Sequence, residues 1–245
     1  MEQQRSRIVE DLRGLLTGEV ISGDVTRQLY ATDASLMRIV PTAVVFPQST
    51  ADVSACLGYC HEHKLEVHPR GAGTGLAGES LGRGIVLDFS RNMRRVLGEQ
   101  EQSIRIQPGI AYERLNAFLH ERGKQIGPQP HNRKAGTLGG MLGVNATGSR
   151  GLKYGGIRKS VQALQVVLAD GTVLDVGTPE SKPEHEANSR LQAGLVSLLK
   201  SNKATIEAAG ESDLDLGYYL QPRWAESGEI DFRELFVGSE GTLAI

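Results

Sequence analysis

Hydrophobic residues along the chain recur at two spacings. Residues 6–17 place Ile8, Val9, Leu12, Leu15 and Leu16 at helical intervals, which predicts an amphipathic helix. The segment to Val40 is polar and reads as irregular. TAVVFP (42–47) is a continuous apolar run closed by Pro47, which predicts a short buried strand. Ser49 and Thr50 then offer N-cap chemistry to a helix running to about Lys64, with Val53, Cys56, Leu57 and Cys60 on its apolar face. Two strands follow, LEVHP (65–69) and GIVLDFS (84–90), separated by a glycine-rich loop. Strand, helix, strand and strand in this order predict an α+β lobe.

A second series starts near residue 96. SIRIQPG (103–109) reads as a strand, and AYERLNAFLHERG (111–123) as a helix stopped by Gly123. Residues 161–177 hold two apolar runs joined by Asp170-Gly171, the signature of a hairpin. Residues 178–188 read as a charged loop, 191–209 as a helix, and ELFVGSEGTLAI (234–245) as a strand, a turn and the start of another strand. Trp224 and the Tyr218-Tyr219 pair are expected to pack this second unit. The expected organisation is a lead-in over 1–37, one lobe over 38–100 and a second over 101–245. Because the last residues are an apolar run without a polar cap, the chain is expected to be part of a longer polypeptide.

Composition narrows the class. A formal net charge of −2 argues against a general polyanion binder. Two cysteines exclude a disulfide scaffold and cannot hold an iron–sulfur cluster. Spaced four apart on the apolar face, Cys56 and Cys60 read as packing residues rather than metal ligands, with His61 and His63 pointing elsewhere. No run approaches the roughly 20 apolar residues of a membrane span. The N-terminus lacks the apolar core of a secretory signal, so a cytoplasmic location is expected.

The candidate chemistry lies in glycine, 30 of 245 residues. GTGLAG (73–78) fits the dinucleotide pattern G-x-G-x-x-G, but only six residues, Glu79 to Gly84, precede the next strand. A crossover helix needs at least about 10–12 residues, so this is no Rossmann unit. Gly71, Gly73, Gly75 and Gly78 can instead turn successive amides into one concavity, a nest that suits a pyrophosphate, and Thr74 and Ser80 can add hydroxyl donors. A second region holds eight glycines between 136 and 156. It falls inside a stretch, Arg122 to Ala169, with no Asp or Glu and eight Lys or Arg, where about six acids would fall at the chain's average. Such a window suggests a local anion site. With Tyr154 its only aromatic residue, it lacks stacking platforms for nucleic acid. His68 and His131 flank the two glycine segments.

Three ordered segments, PRGAGTGLAGES (69–80), GTLGGMLGVNATGSRGLKYG (136–155) with QVVLADGTVL (165–174), and FVGSEGTLAI (236–245), resemble the PCMH-type FAD-binding domain of the vanillyl-alcohol oxidase superfamily. The likeness is greatest to its D-lactate, glycolate and D-2-hydroxyglutarate dehydrogenase branch. TDASLMRIVPTAVVFPQSTADV adds to it.

The resemblance implies a two-lobed α+β fold with FAD between the lobes. It implies that Arg70, Gly71, Ala72, Gly73, Thr74 and Gly75 hold the pyrophosphate, with Leu76 nearby. Pro47 would lie near the adenine, and Gly136, Thr137, Gly139, Gly140, Asn145 and Gly148 would line the ribityl and flavin. Glu240, Gly241 and Ile245 would lie toward the adenosine end. Thr74 stands where many of these oxidases carry a flavin-linked histidine, so the implied FAD is non-covalent. The implied reaction is hydride transfer from a small 2-hydroxy acid to FAD, with electrons leaving to an acceptor or an iron–sulfur domain elsewhere in the full-length protein. Arg150 or Lys153 would then face the reduced flavin or a substrate carboxylate. The family's catalytic residues lie in a cap domain beyond the GSEGT motif, so no catalytic residue is assigned. The alternatives are a flavin reductase of the UDP-N-acetylenolpyruvoylglucosamine type and a non-catalytic nucleotide-binding fragment.

Overall fold

The computed structural model describes residues 2–177, 186–209, 217–220 and 231–245. Helix α1 (Glu2–Leu15) leads into strand β1 (Glu19–Ile21) and helix α2 (Asp24–Leu29), then strand β2 (Ala43–Phe46), helix α3 (Thr50–Glu62), and strands β3 (Val67–Arg70) and β4 (Ile85–Asp88). The four strands form one sheet in the order β1-β2-β4-β3, with β2, β4 and β3 parallel and β1 antiparallel at one edge. Both central strands, AVVF and IVLD, are buried along their whole length, which explains their apolar runs, broken only by Asp88 at the end of β4. Helix α3 spans from β2 to β3 and leaves a gap that β4 fills. Ser49 starts α3 by accepting a hydrogen bond from the Asp52 amide.

Ile8, Val9 and Leu12 of α1 enter the same core as Val45, Val53, Cys56, Leu57, Cys60, Ile85 and Leu87. Residues 1–37 are therefore not a separate lead-in: they supply a helix and an edge strand to the first lobe. The irregular stretch expected before Val40 contains β1 and α2.

The second lobe begins with a pair missed in part by pattern reading, β5 (Val96–Glu99) with β6 (Ile104–Ile106). This pairing moves the boundary drawn at residue 100 back before Val96. Helix α4 (Tyr112–His120) packs Tyr112, Leu115 and Leu119 with Ile110, Leu138, Met141, Ile157 and Val237. Short helices α5 (Leu138–Gly143) and α6 (Gly151–Tyr154) and a 3-10 turn (Ile157–Ser160) fill the glycine-rich region. The expected hairpin is strands β7 (Leu164–Val167) and β8 (Val173–Val176), closed by a tight loop with Gly171 at φ 87°.

Helix α7 (Glu186–Ser201) starts before the expected 191, and a break at Asn202 separates it from α8 (Lys203–Ala209). The expected strand at 234–236 is instead helix α9 (Arg233–Phe236), because the Asp231 carboxylate accepts from the Arg233 amide and starts a turn. Ile245 continues the sheet idea differently, exchanging two backbone hydrogen bonds with Val167, 2.6 and 3.0 Å. Both residues pack on the first lobe's core. Trp224 and residues 178–185 lie outside the described residues. Among the described residues no helix is long and apolar enough to cross a membrane.

Candidate functional site

Parallel β2, β3 and β4 end at the same edge of the sheet, the edge where open α/β sheets bind ligands. There β3 runs out at Arg70 into the first glycine loop. No helix lies between Arg70 and Ile85. From Gly71 to Leu76, six successive backbone N–H groups have no hydrogen-bond acceptor among the described residues. Unused amides in a row are an anion nest, because folding has left their donor capacity to a ligand. Gly73, at φ 63°, supplies the left-handed turn that the row requires.

Three polar side chains hem this loop. A Cβ on Gly71 would overlap Thr137 Oγ1 and lie 3.3 Å from Thr137 Cβ, so the two glycine segments touch here. A Cβ on Gly73 would lie 2.7 Å from Arg70 Cζ, which puts the guanidinium against the loop. Glu79 lies beside Gly75, with Oε2 accepting from the Ala77 amide at 3.2 Å. The third segment joins them: a Cβ on Gly241 would lie 3.0 Å from Pro69 Cδ. The Glu240 amide donates to Gly143 O at 2.9 Å, and the Gly238 amide to Leu142 O at 2.9 Å.

Arg70 donates from Nη2 to Thr32 O at 2.9 Å, while Nη1 is buried without a hydrogen-bond partner. Its Cζ lies 5.1 Å from the centre of the Tyr30 ring. The Tyr30 hydroxyl donates to Asp88 Oδ2 at 2.5 Å. Burial, together with the Asp88 carboxylate, pushes the phenol well above the ordinary tyrosine range, so it stays protonated and remains a donor. Arg70 forms no ion pair among the described residues. A half-buried guanidinium without a counter-charge is costly until an anion pairs with it.

The second glycine segment is built differently. Its amides are mostly spent inside the fold: Gly136 donates to Asn132 O, Leu138 to Ile110 O, Gly139 to Pro108 O and Gly140 to Thr137 Oγ1. Gly139 and Gly148 admit the Pro108 side chain and the Gln129 carbonyl. Asn145 is buried, with φ 45°, and its Oδ1 accepts from the Arg158 amide. These residues shape the lobe. What the segment presents outward is exposed Gly140, Val144 and Thr147, a surface with little side-chain bulk.

The expected site residues therefore divide. Arg70 to Leu76, Thr137, Glu240 and Gly241 converge. Pro47 does not: it is fully buried beside the Gly18 backbone and presents no face to a ligand. Ile245 is bound to Val167 and the core. His68 fills space beside Gly82, with Nε2 3.5 Å from Glu66 Oε2, and His131 is exposed away from any contact with the loop. Cys56 and Cys60 are buried, and their mutual hydrogen bond and burial push the Cys56 thiol up. Among the described residues no His, Cys, Asp or Glu cluster suits a metal. Arg158 holds the third segment, donating to Val237 O at 2.7 Å and Glu234 O at 3.1 Å and stacking on Tyr219. Tyr218 pairs with Thr242. Sequence reasoning missed Tyr30 and Arg158, since neither sits in a glycine motif.

Comparison with known proteins gives a consistent picture. A family described as "FAD binding domain" matches residues 41–177. The chain is 32% identical to a D-2-hydroxyglutarate dehydrogenase of Pantoea ananatis over 93% of its length, covering 24% of that protein. It is 35% identical to the glycolate oxidase subunit GlcD of Bacillus subtilis, covering 89% of this chain and 38% of the relative. It spans about a quarter of the length of the D-2-hydroxyglutarate dehydrogenases that it matches. Among solved structures, an alkyldihydroxyacetonephosphate synthase superposes with a TM-score of 0.70 at 21% identity, over 98% of this chain and 42% of the other. A chitooligosaccharide oxidase superposes with a TM-score of 0.60 at 19% identity, over 70% and 36%. The last two show the two-lobed α+β fold.

Proposed function

Since the chain belongs to the FAD binding domain family, we propose that it is the non-covalent FAD-binding part of an oxidoreductase that takes a hydride from a small 2-hydroxy acid. The observation that carries this reading is the row of unused amides from Gly71 to Leu76 beside the Arg70 guanidinium, which has no carboxylate partner among the described residues. That donor set is the chemistry of a diphosphate site, and the residues fit the cofactor. Gly71 to Gly75 and Arg70 hold the linked phosphates. Gly140 and Thr137 give the flavin moiety a low surface, and Glu240 with Gly241 closes the loop from the third segment. Thr74 offers no ring nitrogen for a covalent bond, so FAD leaves intact on unfolding. The bound flavin supplies the hydride acceptor; the chain's residues bind it, orient it and neutralise its phosphates.

The substrate class is proposed from relatives that are named for D-2-hydroxyglutarate, D-lactate and glycolate. An iron–sulfur domain or another electron acceptor belongs to the rest of such a protein. Incubation of the purified chain with FAD, followed by gel filtration and a visible spectrum, tests the reading. A yellow protein that gives up all its flavin to the supernatant on acid precipitation is expected. A chain that takes up no flavin, or one that keeps it after precipitation, refutes respectively the binding role and the non-covalent attachment.

A further inference from the structure

The first glycine loop is bordered by a side chain whose position nothing in the loop itself explains. Arg70 is long, and four χ angles would let its guanidinium swing to water, yet Nη1 is buried. Its position is set by the segment that ends α2. Thr32 O accepts from Nη2 at 2.9 Å, and the Tyr30 ring lies beneath, 5.1 Å from Cζ. The ring is in turn fixed at both ends. Its hydroxyl donates to Asp88 Oδ2 at 2.5 Å, and its edge meets Phe46 with centroids 5.9 Å apart at 82°. Asp88 is itself buried and accepts from the Ser90 amide at 2.6 Å. The chain of contacts Asp88, Tyr30, Arg70 thus ends at a guanidinium whose Nη2 and Nε edge faces Gly73, within the row of six unfilled amides.

We infer that Tyr30 is a positioning residue that locks the Arg70 guanidinium beside the glycine loop, so that its Nε–Nη2 edge, the edge facing Gly73, reads the linked phosphates and selects dinucleotide flavin over flavins without a diphosphate. This rests on the FAD reading above and goes beyond it, because backbone amides alone bind any phosphate, whereas a fixed planar donor at the loop's side adds a geometric requirement. Tyr30 acts through Arg70 and contacts no ligand. The apolar and cation–π platform matters more than the hydroxyl, since the ring face carries the attraction and the Asp88 bond only fixes the ring.

The test is a set of titrations of the whole chain with FAD, ADP, FMN and riboflavin, on the wild type, Arg70→Gln, Arg70→Lys, Tyr30→Phe, Tyr30→Leu and the double variant Arg70→Gln/Tyr30→Leu. Each variant is first checked by circular dichroism. Arg70→Gln should weaken FAD and ADP by roughly ten- to a hundredfold, the value of a hydrogen bond to a charged group, and leave riboflavin unchanged. Arg70→Lys should recover only part of the loss. Tyr30→Leu should show most of the Arg70→Gln loss and Tyr30→Phe little of it. The double variant should be no worse than Arg70→Gln alone, a coupling that a merely structural Tyr30 would not produce. If Tyr30→Leu does not fold, the Arg70 variants decide: equal loss for FAD and riboflavin overturns the inference. So does additivity in the double variant, or full affinity in Arg70→Gln. A wild-type chain that binds neither FAD nor ADP overturns the underlying FAD reading as well, which separates the two failures.

Discussion

Replacing Gly71 by alanine perturbs the one point where the two glycine segments touch. The added methyl would overlap Thr137 Oγ1 and stand 3.3 Å from Thr137 Cβ. Thr137 is 4% exposed, so it has no free volume to enter. It also caps α5, accepting from the Gly140 amide at 3.2 Å. If the threonine rotates away, the cap is lost at about 0.5–2 kcal/mol. If it stays, overpacking costs about 1–3 kcal/mol. Either way the cost is about 0.5–3 kcal/mol, which for a chain of this size lowers Tm by about 1–12 °C. Thr137→Ala removes the overlapped oxygen, so Gly71→Ala should cost about 0.5–3 kcal/mol less in that background than alone. Urea unfolding of the four proteins of this cycle, with FAD titrations alongside, measures both quantities. Stability and FAD affinity should fall together in Gly71→Ala. Additive stabilities across the cycle, or an unchanged FAD affinity in Gly71→Ala, would refute the idea that this contact shapes the diphosphate site.

Two other outcomes follow from named contacts. Glu79 places a carboxylate at the edge of the loop, beside Gly75 and bonded to the Ala77 amide. A diphosphate about 5 Å away would be repelled by about 1–3 kcal/mol per unit charge, so Glu79→Gln should tighten FAD by roughly five- to a hundredfold or more in a fluorescence titration, and weaker binding would contradict it. Asp52 is buried, which raises its pKa, but hydrogen bonds from the Gln48 and Thr17 amides and the Thr17 hydroxyl outweigh this and hold its carboxyl below the ordinary range. A carboxyl depressed by folding stabilises fully above its unfolded value and loses that contribution as pH falls through its folded one. Urea unfolding should therefore show stability at neutral pH that is lost in acid, and Asp52→Asn should lack that pH-dependent loss. An unaltered pH profile in that variant would exclude Asp52 as the source.

The first lobe was legible wherever an element carried its own burial signal. TAVVF and GIVLD are central parallel strands, so both faces are apolar and the run cannot be mistaken for a surface helix. The helix after Ser49 announced itself by its cap. Residues 19–29 gave no such signal. Strand β1 is only three residues long, and the apolar residues of α2, Val25 and Leu29, are 76% and 68% exposed, so α2 has no buried stripe to read. It is held by polar contacts remote in sequence, Arg27 on Pro41 O and Tyr30 on Asp88. Helix α9 was missed for a related reason: ELF has strand-like composition, and what turns it is the preceding Asp231 side chain.

The site was legible as a place but not as a division of labour. Both glycine segments have the same composition, yet one leaves its amides free and the other spends them. A glycine can serve a ligand by freeing a row of donors, as at 71–76, or serve the fold by letting backbone meet backbone, as where Gly148 meets the Gln129 carbonyl. Sequence cannot separate these uses, because the difference lies in where each N–H finds its acceptor. The charge pattern misled in the same way. Within the acid-free stretch, Arg122 pairs with Glu99, Lys124 with the same carboxylate, and Arg158 is spent on two carbonyls of the third segment. The cation that borders the free amides is Arg70, which lies outside that stretch and is placed by a tyrosine forty residues earlier in the chain. An excess of positive charge along the sequence therefore says little about where an anion binds. What decides it is which positive group the fold sets beside free amides without a carboxylate to neutralise it.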